Sequence, residues 1–183
     1  MIYSWLIIAC WAVFFLYWIT LALGSKRTAV AYGRHMLKRA VLVALILLVI
    51  RSRPADINAR AIVLNPAVRV LGVLICATGV AFAIWARRHL GKSWGMPMTV
   101  HESPHLVTTG PYARIRHPIY TGILVGFVGN ALALSLWWFV AVAAGLVYFG
   151  YAARKEESTM LATFPNDYGA YRARTSRMIP GLF

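Results

Sequence analysis

The residue types that could perform chemistry are concentrated in a polar stretch, residues 87–117, and in the first turn after it. Tyr112, His117 and Tyr120 supply two phenols and an imidazole there. Pro118 is suited to the first position of a helix, which leaves His117 at the cap. Such a helix start favours an anionic ligand group, and aromatic rings can stack on a purine. The stretch therefore permits a nucleoside site without proving one.

A second candidate lies further along the chain, where Glu156 and Glu157 supply two of only five acidic residues. Neighbouring positions on a helix point about 100° apart, so only one of the two can face a cleft. The other is expected to be solvated or paired with Arg154 or Lys155. A carboxylate here could bind ribose hydroxyls or an ammonium group, and its charge would suit a cationic sulfonium.

Each of these features has an ordinary structural explanation when it is taken singly. His117-Pro118 resembles a helix cap, and Glu156-Glu157 resembles a solvated helix end. Other members of the set are typical of membrane interfaces, as belt aromatics or lipid-headgroup anchors: Tyr112, Tyr120, Arg116 and Arg154. Only the combined pattern favours a site.

Composition places these motifs in a membrane protein. The 183 residues are 60% hydrophobic, with a mean hydropathy of +0.65, which is too apolar for a soluble domain of this length. The net charge of +14 would suit nucleic acid or anionic lipid, but the basic residues cluster beside long apolar runs. We therefore expect a lipid bilayer as partner and no nucleic acid. Cys10 and Cys76 fall inside apolar runs and predict neither a disulfide nor a metal site.

The apolar runs predict an all-α, polytopic membrane protein of about five transmembrane helices. A run of about 20 residues covers the ~30 Å hydrocarbon core, and the predicted spans are residues 3–23, 36–50, 66–86, 118–134 and 136–153. Asn65 is expected to cap the third, and the last two form a tight helical hairpin. The excess of Lys and Arg in alternate connections places the N-terminus outside and the C-terminus in the cytoplasm. Residues 154–183 are expected to contain a short amphipathic helix on the membrane surface.

Together the motifs resemble those of the isoprenylcysteine carboxyl methyltransferase and phospholipid methyltransferase superfamily. The resemblance covers roughly residues 85–180 and rests on their order: Gly110-Pro111-Tyr112, Arg116-His117-Pro118-Ile119-Tyr120, Glu156-Glu157 and the aromatics Phe164, Tyr168 and Tyr171. It implies one membrane domain, 1–183, with a three-helix part (1–86) and a methyltransferase-like part (87–183) that contains the hairpin 118–153. The loop and the C-terminal segment would form the site.

The resemblance also implies S-adenosyl-L-methionine as cofactor and no metal. By motif match, His117 and Glu156 would be catalytic, and the cofactor would be bound by Pro104, His105, Leu106, Val107, Tyr112, His117, Pro118, Ile119, Tyr120 and Glu156. The isoprenylcysteine branch has a substrate-binding arginine one turn before the glutamate. Here that position is Ala152, and Arg154 is the nearest substitute. His117 would remove a proton from a thiol or amine acceptor, whereas a carboxylate acceptor needs no base.

Several functions remain open at this level. The methyl acceptor could be a prenylated cysteine, a phospholipid amine, a small thiol or another lipid, and we expect a lipophilic one that enters from the bilayer. One alternative is an NADPH-dependent reductase of the sterol-reductase type, which has a similar His-Pro-x-Tyr region. Another is a non-catalytic membrane protein that retains the fold. Oligomeric state has no signature in the sequence.

Overall fold

The computed structural model describes residues 2–23, 65–91 and 105–181. Within these ranges the chain is helical and contains no strand, which confirms the all-α class. The elements are α1 (Ile2–Leu23), α2 (Pro66–Leu90), a 3-10 helix η1 (Gly110–Ala113), α3 (Pro118–Ala133), α4 (Trp138–Thr163) and α5 (Tyr168–Ala173).

The predicted spans can be compared with these helices one by one. Among the described residues, two helices are long and apolar enough to cross a bilayer: α1, over Ile2–Leu21, and α2. Helix α3 is apolar but shorter, and α4 is long but carries charges in its second half. The predicted helix at 36–50 lies outside the described residues. Five transmembrane helices therefore stay a prediction.

The helix starts follow the local sequence. The Asn65 side-chain Oδ1 accepts a hydrogen bond from the Ala67 backbone N–H at 2.9 Å, so the expected cap of α2 is present. Pro118 is the first residue of α3, and the His117 carbonyl accepts from the Thr121 N–H at 3.2 Å. Both prolines occupy the first helical position, where their missing N–H costs nothing.

The amphipathic surface helix expected after residue 153 is not confirmed. Helix α4 instead continues through Arg154 to Thr163, and only the six-residue α5 follows it. No glycine or proline interrupts residues 151–163, and Ala, Lys, Glu, Met and Leu dominate there. These residues favour continuation of a helix. Glu156 and Glu157 consequently lie on the same rigid helix as the apolar residues before them.

The chain divides into two compact units, which we describe separately. In the first (Met1–Ala77 with Phe127–Ala143), the Trp11 Nε1–H donates to Oδ1 of the fully buried Asn130 at 3.1 Å. The Trp11 ring also packs on Phe127, with ring centroids 5.4 Å apart. A Cβ added to Gly129 would lie 2.4 Å from the Cys76 backbone nitrogen. Glycine is therefore required for this approach of α2 and α3, as is common between membrane helices.

The second unit (Thr78–Gly126 with Ala144–Phe183) has a similar helix contact. A Cβ on Gly79 would lie 2.6 Å from the Gly122 carbonyl oxygen, so α2 and α3 also approach at backbone distance here. On the other side of α3, the Tyr120 ring stacks on Phe149 of α4 at 4.6 Å. These contacts fix the first turn of α3, which directly follows the Arg116-His117 motif, beside α4.

Candidate functional site

The C-terminal tail of the second unit holds the Arg116-His117 motif by its backbone. The Arg116 and His117 N–H groups donate to the Ser176 and Arg177 carbonyls, each at 2.9 Å, and the Ser176 N–H donates back to Arg114. Ile115 and Ser176 form an isolated parallel bridge. Because these groups are paired, the tail fixes the direction in which the motif's side chains point.

Glu157 lies at the centre of a buried cluster of cations. Its Oε1 accepts from Arg116 Nε at 2.9 Å and from Arg177 Nε at 3.0 Å, and its Oε2 accepts from Arg177 Nη2 at 3.0 Å. Arg172 Nε is 3.9 Å from Oε2. Burial works to raise the pKa of Glu157, but the hydrogen bonds from His117, Arg177 and Arg116 outweigh it and hold the pKa well below the ordinary range. The carboxylate is therefore charged and saturated with donors.

Arg116 connects this cluster to the tail. Its guanidinium is buried, and Nη1 donates to the Arg172 carbonyl at 3.0 Å and also to the Thr175 carbonyl and hydroxyl. The alternative explanation of Arg116 as a lipid-headgroup anchor does not hold, because the side chain is buried and faces the protein interior. The second glutamate, expected to be solvated or paired with Arg154 or Lys155, is instead buried and pairs with Arg116 and Arg177, so that expectation is wrong.

Glu156 has the opposite surroundings. Its side chain is 53% exposed, and its Oε1 accepts a hydrogen bond from the Tyr120 hydroxyl at 2.5 Å. Its Oε2 is 3.4 Å from His117 Nδ1. This carboxylate is therefore accessible to solvent, unlike that of Glu157.

His117 lies between the two carboxylates. Nδ1 is 3.4 Å from Glu156, Nε2 is 3.4 Å from Glu157, and the ring stacks nearly parallel on Tyr120 at 5.5 Å. Burial works to lower the pKa of His117, but the contacts with Glu156 and Glu157 outweigh it and raise the pKa above 6.5. The two carboxylates therefore favour the protonated form of the imidazole.

Two clefts lie near this cluster. The larger, about 480 Å³, is lined by side chains that include His105, Leu106, Phe164, Asn166, Asp167 and Arg174. The smaller, about 290 Å³, is lined by Arg154, Glu157, Ser158, Leu161, Arg172 and Arg177. His117, Tyr120 and Glu156 line neither. The predicted site residues thus divide into the Glu156 cluster, the larger cleft with His105 and Leu106, and the smaller cleft with Arg154.

The remaining predicted residues form the support around these places. The Tyr112 ring is buried, stacks on His89 at 6.5 Å, and its carbonyl accepts from the Tyr171 hydroxyl at 2.8 Å. Burial raises the pKa of its phenol. Pro118 is buried, while Val107 and Ile119 are half-buried. Pro104 lies outside the described residues. Tyr112 therefore contributes a wall more than an open stacking surface.

The sequence reasoning missed Arg177 and Thr175 altogether and misplaced Arg116. The composition did indicate that a buried glutamate would be paired with arginine. The chain has five acidic residues and nineteen basic ones, so a glutamate attracts the arginines nearest to it. Nothing in the spacing indicated which arginines those are, because residues 116, 157 and 177 are far apart in the chain.

In residues 2–23, 65–91 and 105–181, no group of three or more His, Cys, Asp and Glu side chains could hold a metal ion.

Sequence comparison identifies proteins and a family that the chain resembles. A nickel-cobalt-cadmium resistance protein of Alcaligenes xylosoxydans xylosoxydans is 33% identical over 97 residues, which cover 51% of this chain and 45% of that protein. A cobalt-zinc-cadmium resistance protein of Cupriavidus metallidurans is 30% identical over 122 residues, 64% of this chain and 51% of that protein. The chain thus spans about half the length of these curated relatives. The phospholipid methyltransferase family matches residues 67–167, more than half of the chain and all of α3. The chain belongs to the phospholipid methyltransferase family.

Proposed function

We propose that this protein transfers a methyl group from S-adenosyl-L-methionine to a lipophilic acceptor at the membrane. One observation carries the proposal: His117 and Tyr120 converge on the half-exposed carboxylate of Glu156. Family membership points to methyltransferase activity, and methyltransferases of this family generally use S-adenosyl-L-methionine. The acceptor and the cofactor are the parts that we propose.

The chemistry of these side chains fits the cofactor. A sulfonium is cationic, and Glu156 offers a carboxylate that is exposed to solvent. Glu156 and Tyr120 would hold the cationic end, and His105 and Leu106 would contribute from the larger cleft. That cleft has the volume of a small-molecule pocket and contains the acidic and amide side chains that ribose hydroxyls bind. When bound, S-adenosyl-L-methionine supplies a methyl group that its positive sulfur already activates for displacement.

The residues of this chain then act mainly by positioning. The Tyr120 hydroxyl fixes one oxygen of Glu156, and the His117 ring lies beside the other oxygen, on the side of the buried cluster. Because the backbone of the tail holds His117 in turn, this arrangement is present before a ligand arrives. Holding two reacting groups in line lowers a barrier by up to about 7–11 kcal/mol in favourable intramolecular cases.

The contacts of His117 favour a positioning role for it in this proposal. Glu156 and Glu157 raise its pKa and so stabilise the form of the imidazole that cannot remove a proton from a thiol or amine acceptor. For an acceptor that loses a proton, the Glu156 carboxylate is the available base. An acceptor carboxylate needs none. The lone pair of the acceptor atom forms its bond to the methyl carbon as the carbon–sulfur bond breaks, and a neutral thioether leaves.

The membrane topology belongs to the same proposal. We infer a multi-pass protein with its N-terminus outside, its C-terminus in the cytoplasm, and a site formed by residues 87–183. The site lies where α3 begins and where the apolar part of α4 ends, so an acceptor in the bilayer could enter sideways. Activity toward short, water-soluble acceptors alone would contradict this route.

Labelled methyl transfer tests the function directly. Membranes containing the full chain are incubated with methyl-labelled S-adenosyl-L-methionine, and the lipid and aqueous fractions are separated. We expect label in a lipid product, a loss of about tenfold or more in Glu156→Gln, and normal transfer in Arg114→Gln, whose exposed side chain lies outside the cluster. Label in no fraction from folded protein would support the non-catalytic alternative, and oxidation of NADPH by the same membranes would support the reductase.

A further inference from the structure

The two cysteines of the chain, Cys10 and Cys76, are far apart in the sequence but meet in the first unit. Each lies near the middle of its helix, α1 or α2, and the two thiol side chains are hydrogen bonded to each other. Neither forms a disulfide. Cys76 is fully buried, whereas Cys10 is partly exposed. The pair therefore offers two neighbouring sulfurs, one of which can be reached from outside the bundle.

Contacts of the adjoining residues hold the two sulfurs at the same level. Trp11, which follows Cys10, donates from Nε1 to Oδ1 of Asn130 at 3.1 Å and so fixes the rotation of α1 against α3. Gly129, which precedes Asn130, lies against the Cys76 backbone, where an added Cβ would be 2.4 Å from the nitrogen. Helices α1, α2 and α3 therefore pack on one another at this point, and their packing produces the thiol contact.

An unexplained polar group lies in the same packing layer. Asn130 is fully buried, and its Nδ2 has no hydrogen-bond partner among the described residues. Helices α1 and α2 are long and apolar enough to cross a bilayer, which would place the two thiols within the hydrocarbon. Polar side chains are costly at that depth and commonly mark a functional site. The cysteines are therefore candidates for a ligand site as well as packing residues.

Coordination number and charge decide which ligand a pair of thiols suits. Thiolate sulfur is a soft ligand and selects soft metal ions. Within the described part of the chain no third His, Cys, Asp or Glu completes a metal-binding group, so an ion that needs four protein ligands, such as Zn²⁺, is poorly served. A monovalent ion between two thiolates would leave a net negative charge in an apolar interior, which is costly. A divalent ion that accepts two ligands leaves none.

We propose that Cys10 and Cys76 together bind one soft divalent cation that prefers two ligands, the chemistry of Hg²⁺. Each thiol loses a proton, and the two thiolate sulfurs form the two bonds to the metal. If the ion arrives as its neutral dichloride, two chlorides leave with the two protons, so the bound complex is uncharged. The partly exposed Cys10 forms the first bond, and the buried Cys76 closes the chelate. The inference is independent of the proposed function, because it uses no residue of the second unit.

The test asks whether the two sulfurs hold one ion as a chelate. Detergent-purified full chain is loaded with mercuric chloride, dialysed against excess glutathione, and assayed for bound mercury and for the ultraviolet absorption of a bis-thiolate complex. Wild type, Cys10→Ser and Cys76→Ser are compared with Ala9→Ser, which adds the same hydroxyl at an exposed position of α1 and removes no thiol. We expect one ion per chain in wild type and Ala9→Ser. Each cysteine variant should retain it at least about a hundredfold more weakly, because the second thiolate acts at a high effective concentration.

The outcomes are decisive in either direction. Retention by Cys10→Ser equal to wild type overturns the chelate, as does binding of two ions by each wild-type chain, one on each thiol. Cys10→Ser suffices for this comparison if the substitution of the buried Cys76 prevents folding, because Cys10 is partly exposed. Zn²⁺, loaded and dialysed in the same way, should be lost from wild type. Equal retention of Zn²⁺ and Hg²⁺ overturns the two-ligand assignment.

Discussion

Glu156 and Glu157 are neighbours on α4, yet they belong to two different regions of the molecule. Glu157 is 3% exposed and saturated by arginines, whereas the Glu156 side chain is 53% exposed and meets one phenol and one imidazole. The roughly 100° between neighbouring helical positions produces this division. Glu157 therefore holds the tail against α3 and α4, whereas Glu156 presents its carboxylate to solvent.

The largest expected effect is a difference in stability between variants of Glu157 and of Glu156. Glu157→Gln removes a buried charge that Arg116 and Arg177 neutralise, which leaves their cations unpaired. Breaking a buried ion pair from one side costs about 3–5 kcal/mol. We expect a large fall in the unfolding temperature of detergent-purified protein. Glu156→Gln is the matched control and should unfold close to wild type; equal destabilisation by both variants would erase the distinction.

The next effect concerns the residue that joins the two regions. His117→Ala removes the ring between Glu156 and Glu157, so Glu156 loses its contact with the imidazole Nδ1. We expect about a tenfold loss of S-adenosylhomocysteine affinity, equivalent to about 1.4 kcal/mol, in calorimetric titration. Arg114→Gln, which changes an exposed side chain outside the cluster, should bind as wild type does. Wild-type affinity in folded His117→Ala would show that Glu156 needs no such support.

A smaller effect is expected in the pH dependence of stability. The folded-state pKa of Glu157 is lowered, so its contribution is present above the ordinary value of 4.5 and is lost as the pH falls below it. The folded-state pKa of His117 is raised, so its contribution is complete below 6.5 and is lost as the pH rises above it. The unfolding temperature should therefore be highest between these values. In His117→Ala the decline on the alkaline side should shrink; an unchanged decline would assign it to another group.

The starts of α2 and α3, and the meeting of the two polar motifs, were predictable from the sequence. Asn65-Pro66 and His117-Pro118 mark helix starts by residue type alone, and both starts are present. The pair of glutamates on the last long helix and the Arg-His-Pro-x-Tyr stretch were predicted to meet, and Tyr120 and Glu156 are hydrogen bonded. Motif order along the chain carried that prediction.

The partners inside the site were not predictable in the same way. Arg116 and Arg177 reach Glu157 through a backbone bridge between Ile115 and Ser176, which no periodicity indicates. The continuation of α4 past Arg154 also escaped the sequence reasoning, because charge was taken as the end of a helix. Charge ends the apolar segment, whereas the helix itself continues through residues that favour it and ends shortly before Pro165.

Titration of S-adenosylhomocysteine into wild type and Glu156→Gln tests most directly whether Glu156 is the ligand-facing half of the motif. The account predicts that wild type binds S-adenosylhomocysteine and not NADPH, and that Glu156→Gln binds at least about tenfold more weakly while it unfolds near the wild-type temperature. Equal affinity in folded Glu156→Gln, or a wild type that binds NADPH and not S-adenosylhomocysteine, would contradict it.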